Sequence, residues 1–251
     1  MGEFSLKEIL FIVIVFGYLS SMITSFLLAS HYRNWKNLNK ASSCDNCNHK
    51  IDKWRLIPIF GSLISGYKCN YCKEKFSWKL GFMELTSYLL FSGLFLYMLN
   101  NGFELNYLKI FCLSIGSSFF ALFAYEDWET SYISDLYIIP SLILFIYPFF
   151  HNLEYWVLSI GSLYLFKVLA DTVVSFIKKE ETIALGEGDI LLLSFIWLIF
   201  SNIQESLYIL IIMGFSAIIM GKLKNSGESP LGPNLMFALI FYLNIKGFLF
   251  V

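Results

Sequence analysis

Leu185-Gly186-Glu187-Gly188-Asp189 lies between two apolar stretches, one ending near Ile177 and the other beginning at Ile190. An aspartate there meets the edge of a membrane's hydrocarbon, where an ionised side chain held at depth costs about 3 kcal/mol or more. Gly186 and Gly188 remove side-chain bulk on both sides of Glu187. An extended peptide can therefore approach this backbone closely, beside a carboxyl group. A carboxylate at a Gly-rich helix opening reads as a site first and as structure second. Hydrolysis needs a second carboxylate.

Composition places the stretch in a bilayer. Of 251 residues, 57% are hydrophobic and 15% charged, against about 45–50% and about 25% in soluble domains. A soluble chain of this length has no interior large enough for that much apolar surface. The expected fold is an all-α polytopic membrane protein of about eight transmembrane helices with a small cytoplasmic zinc-binding loop domain. The spans run roughly Ile9–Ala29, Gly81–Met98, Leu108–Tyr125, Leu136–Phe150, Tyr155–Ile177, Ile190–Phe200, Leu207–Met220 and Leu235–Phe250, judged against the ~20 residues that cross a bilayer. Three are short. Many equally apolar segments follow the first, so it reads as a span and not as a removable signal. The expected division is 1–30 as first helix, 31–80 as loop domain and 81–251 as a seven-helix membrane domain. The lipid bilayer is the expected partner, and no nucleic acid is.

Charge sets the orientation. The long polar stretch from His31 to Leu80 holds ten of the eighteen Lys and Arg residues, against Asp45, Asp52 and Glu74. Alternation puts Glu126–Asp135, Lys178–Gly188 and Lys222–Pro233 on the same side, adding Lys178, Lys179, Lys222 and Lys224. Under the positive-inside rule that side is cytoplasmic. Both aspartate-bearing loops then face the cytoplasm.

The long loop contains Cys44-Asp-Asn-Cys47 and Cys69-Asn-Tyr-Cys72. Paired Cys-x-x-Cys motifs at this separation match a structural zinc site, in which four thiolates close the tetrahedron. Two disulfides are the competing reading, and a cytoplasmic location argues against them. His49 reads as a surface residue, and Cys112 in the third span as a small core residue.

Asp127 follows directly on the third span, at the same depth and side as Asp189. Two carboxyls in one low-dielectric cleft do not both ionise easily, which suits one to act as base and the other as acid. A solvated helix-end acid remains the plainer alternative for Asp127. Asp135 suits the N-cap of the fourth span. Lys167 and Asp171, four apart on the fifth span, share a face and neutralise each other. Glu84 lies near the start of the second span, within reach of the interface.

Together these features resemble the type IV prepilin peptidases, over nearly the whole chain. Ser25-Phe26-Leu27 and Arg33 are similar to the family's Gly-Ser-Phe-Leu-Asn…Arg stretch, with Thr24 and Leu28 replacing its Gly and Asn. Asp127 through Asp135 and Pro140 resemble its Asp-x7-Asp-x4-Pro run, with Ser134 in place of the usual Pro. Pro230-Leu231-Gly232-Pro233 resembles its Pro-Phe-Gly-Pro. The resemblance implies a Gly-x-Gly-Asp aspartyl protease with Asp127 and Asp189 as catalytic pair and Gly186 and Gly188 as motif glycines. It implies Cys44, Cys47, Cys69 and Cys72 as zinc ligands. The substrate would be a prepilin or pilin-like protein, cut after a short basic leader at the cytoplasmic face of a bacterial membrane. Many members also methylate the new N-terminus with S-adenosylmethionine, whose site these residues do not place. Leu191 stands where a lysine is common in the family, so no role of that lysine carries over.

Two rival classes fit part of the pattern. A transporter would use Lys167 and Asp171 as a pathway but needs no zinc loop. A membrane-anchored zinc interaction module gives no reason for Gly186 and Gly188. An electrostatic expectation completes the reading: Glu126, Glu129 and Glu187 attract the basic leader without doing chemistry.

Overall fold

Every expected span falls on a helix. The structure, a computed structural model, describes residues 4–33, 35, 42–44, 46–131, 134–179, 186–224 and 230–249. The helices are α1 (Leu6–Tyr32), α2 (Phe60–Ile64), α3 (Trp78–Asn100), α4 (Tyr107–Thr130), α5 (Asp135–Ile146), α6 (Leu153–Lys178), α7 (Glu187–Ile199), α8 (Ile203–Lys224) and α9 (Leu231–Leu249). Among the described residues there is no strand, only two isolated bridges in the cysteine loop. Among the described residues, five helical segments, α1, α3, α4, Phe150–Phe176 and Ile203–Lys222, are long and apolar enough to cross a membrane. At 12 and 13 residues, α5 and α7 fall short of the ~20 that a crossing takes. Of the loops expected on one side, residues 132–133, 180–185 and 225–229, Leu185 included, lie outside the described residues.

The chain forms two compact units, residues 1–122 with 243–251, and residues 123–242. In the first, small residues let α1 lie against α3. A Cβ on Gly17 would come within 2.6 Å of the Tyr88 ring, so glycine is what permits the approach. Ser21 Oγ donates to the Glu84 carbonyl at 2.8 Å, and Ser118 and Ser114 of α4 donate to the carbonyls of Ser20 and Phe16 at 2.9 and 2.8 Å. Lipid tails are as apolar as leucine, so close packing of small residues and interhelical hydrogen bonds hold such helices together.

In the second unit, buried polar side chains tie helix ends. Asn152 Nδ2 donates to the Leu198 and Ile199 carbonyls, both at 3.1 Å, taking up acceptors that the end of α7 leaves open. Trp156 Nε1 on α6 donates to Ser194 Oγ on α7 at 2.9 Å. Asn234 on α9 is fully buried; its Oδ1 lies 3.1 Å from Ser216 Oγ of α8, and its Nδ2 donates to the Pro230 carbonyl at 2.6 Å. That bond fixes the turn on which α9 begins.

Candidate active site and metal centre

The spacing of Gly186 and Asp189 is that of a helix N-cap and its third residue. Gly186 caps α7 in an extended conformation. Asp189 reaches back so that its Oδ2 accepts the Gly186 N–H at 3.0 Å, the carboxylate arm of a capping box. A Cβ at residue 186 would stand 3.2 Å from that oxygen. The glycine thus lets the carboxylate fold over the helix end. Asp189 is half-buried, while Glu187 beside it is exposed. Gly188 occupies the turn between them.

Asp127 is held differently, by a contact 105 residues away in sequence: its Oδ2 accepts the Gly232 N–H at 2.7 Å. Gly232 is the second residue of α9, so its N–H is among those an α-helix leaves without an internal acceptor. Pro233 next to it has no N–H. The 4% exposure of Asp127 makes that donor matter, because a buried carboxylate needs hydrogen bonds. The positive end of the α9 dipole acts in the same sense. A Cβ on Gly232 would lie 3.0 Å from Asp127 Oδ2 and 3.0 Å from the Phe123 ring. Only glycine fits. The sequence resemblance marked Gly232 without giving it a task; its task is a backbone donation no local pattern reveals.

Both aspartates belong to the second unit, on separate helices, each held through Oδ2 by its own glycine N–H. Neighbouring acids sort differently. Glu126 is half-buried with its Oε2 enclosed, whereas Glu129 is exposed. Asp135 is not the N-cap of α5. Ser134 is, its side chain accepting the Leu136 N–H at 3.3 Å. Lys167 Nζ donates to Asp171 Oδ2 at 2.9 Å, the pairing expected four residues apart. Glu84 does not reach outward. It is 3% exposed, and its Oε2 accepts the Ile59 N–H at 2.6 Å, from a loop folded over the start of α3.

In the first unit the four cysteines come together. Two identical knuckles carry them. In each, the first cysteine's N–H donates to the carbonyl five residues on (His49, Glu74), and its carbonyl accepts from the residue four on (Asn48, Lys73), which has φ of 56° or 61°. All four sulfurs lie within 4.8 Å of one another, with Cys44–Cys72 at 3.6 Å and Cys47–Cys69 at 3.8 Å. A metal about 2.3 Å from four sulfurs needs tetrahedron edges of roughly 3.8 Å, so the thiols fit zinc. Crowding shows in their acidity. Cys69 is lowered to about 6, first by the Cys72 backbone N–H and then by that of Tyr71. For Cys72 the Glu74 backbone acts downward, but burial and the facing thiols outweigh it and push the group up to about 12. The His49 ring stacks on Tyr71 at 3.9 Å and bridges the knuckles without entering the sulfur cluster.

These features define an all-helical membrane-type protein with a four-thiol cluster that could hold a metal and two glycine-held aspartates. Residues 18–98 match the family described as the bacterial peptidase A24 N-terminal domain, which supports a type IV prepilin peptidase assignment. The match spans most of α1, the cysteine hairpin and nearly all of α3, and ends before either aspartate. No curated protein and no solved structure matches the chain.

Proposed function

We propose that the chain is an aspartic endopeptidase that removes the short basic leader of a prepilin or pilin-like protein at the cytoplasmic face of a bacterial membrane. The carrying observation is that Asp127 and Asp189, remote in sequence, are each oriented by a glycine N–H bonded to Oδ2. Each carboxyl is thereby aimed by a backbone donor. One carboxylate takes a proton from water as the water oxygen attacks the scissile carbonyl carbon. The other carboxyl gives its proton to the carbonyl oxygen. Collapse of the tetrahedral intermediate breaks the C–N bond, and the departing amine takes up the proton. The family match supports the protease class. Zinc at the thiol clip has a structural part, since four sulfurs leave no position for substrate water. Among the described residues nothing supports an S-adenosylmethionine site.

The test uses the purified chain in proteoliposomes with a pilin-like peptide: a basic leader ending in Gly, then an apolar helix. The wild type should release the leader, and Asp127→Asn and Asp189→Asn should each abolish release while still inserting. Appreciable cleavage by either variant overturns the assignment.

A further inference from the structure

The segment between the two knuckles does not behave as a water-facing loop. It reads Trp54-Arg55-Leu56-Ile57-Pro58-Ile59-Phe60-Gly61-Ser62-Leu63-Ile64 and folds as a 3-10 turn, Lys53–Leu56, followed by α2. Its large apolar side chains point outward: Leu56, Ile57, Phe60 and Leu63 are exposed, and Ile64 is 73% exposed. A contiguous apolar patch of this kind marks an interaction surface.

Most of its backbone donors are bonded within the protein. The N–H groups of Ile57, Phe60, Gly61, Leu63 and Ser65 donate to carbonyls within residues 54–61. The Ile59 N–H donates to the buried Glu84 carboxylate on α3. Gly61 packs so tightly on Arg55 that a Cβ would meet the Arg55 carbonyl oxygen at 2.3 Å. Internal satisfaction of backbone donors is what hydrocarbon demands and water does not.

Position and charge name the occupant. Glu84 lies six residues into α3, about 9 Å along its axis at ~1.5 Å per residue, so the segment folds alongside the first turns of a membrane-type helix. Trp78, Phe82 and Leu85 are exposed on those same turns, which continues the apolar surface onto α3. Lys50, Lys53, Lys68 and Lys73 flank the segment and are exposed, placed for anionic headgroups. Eleven residues are too few to span, given the ~20 that a helix needs. We propose that residues 54–64 form a wedge lying in the headgroup–acyl boundary of the leaflet, so that the metal clip closes the base of a membrane-inserted hairpin.

The test leaves catalysis aside. The full chain is reconstituted in phosphatidylcholine–phosphatidylglycerol vesicles with p-benzoylphenylalanine at Leu63 or Ile64. Phe82 serves as lipid-facing reference and Glu74, exposed on the second knuckle, as water-facing reference. After irradiation, lipid adducts at Leu63 and Ile64 should approach those at Phe82 and exceed those at Glu74 by about tenfold or more, as for a helix face buried in the acyl boundary. Adducts at the Glu74 level, or cross-links to a second copy or another protein in their place, overturn the proposal. Should the substituted chains fail to fold, the wild type with an acyl-chain diazirine lipid answers the same question. Label within residues 54–64 supports the wedge, and label confined to the spans refutes it.

Discussion

Replacing Gly232 with alanine disturbs one interaction of the candidate active site without removing either acid. The new Cβ would stand 3.0 Å from Asp127 Oδ2 and 3.0–3.1 Å from two atoms of the Phe123 ring, on a backbone N–H that now donates at 2.7 Å. Asp127 or the first turn of α9 must shift by several tenths of an ångström, and the donor loses its aim. A hydrogen bond to a charged group contributes about 1.5–3 kcal/mol. At about 1.4 kcal/mol per decade of rate, Gly232→Ala should lower kcat about ten- to hundredfold. KM should change little, since the bond touches Asp127 and not the leader. Gly214→Ala is the control, because a Cβ there meets nothing within 4 Å. Leader release in proteoliposomes reads both variants. A Gly232→Ala protein that inserts normally and keeps wild-type kcat refutes the idea that α9 orients Asp127.

The clip should carry about one zinc per chain; Cys47→Ser should release it and lower yield, because metal binding is coupled to folding. Finding no zinc by elemental analysis of protein from zinc-replete cells contradicts this. Asn234→Ala removes the side-chain bond to the Pro230 carbonyl at the buried start of α9, at a cost of about 0.5–1.5 kcal/mol, which a lower Tm in detergent should register. Under the proposed function, recruitment of a basic leader should fall to Glu129 and Glu187, the exposed members of the acidic set, since Glu126 is half-enclosed. Neutralising both to Gln should raise KM with kcat nearly unchanged, and salt should mimic this in the wild type, as exposed charges are screened beyond roughly 8–10 Å.

The helices were legible because each carries a continuous apolar run that few soluble segments tolerate, even where α5 and α7 are short. The clip was legible because its four ligands lie in two local pairs whose spacing is a property of the knuckle itself. Long-range features were not. Gly232 meets Asp127 across 105 residues, through a backbone N–H that leaves no trace in residue type. Glu84 appeared able to reach the interface because position along α3 was visible and the loop covering it was not. The apolar segment 54–64 was hidden by its setting: counted with its flanking lysines, the loop is basic, and that average conceals the exposed Leu56, Ile57, Phe60, Leu63 and Ile64. Ser134 took the cap expected of Asp135 because both residue types suit it, and only chain direction at the helix start decides between them.

The central claim is that Asp127 and Asp189 act as one catalytic unit, and a double-mutant cycle on purified protein tests it most directly. Residual leader release is compared for Asp127→Asn, Asp189→Asn and the double variant. Groups that work together are grossly non-additive, so the double variant should be no slower than either single. A double variant slower by the product of the two single effects would show two independent contributions and contradict the account.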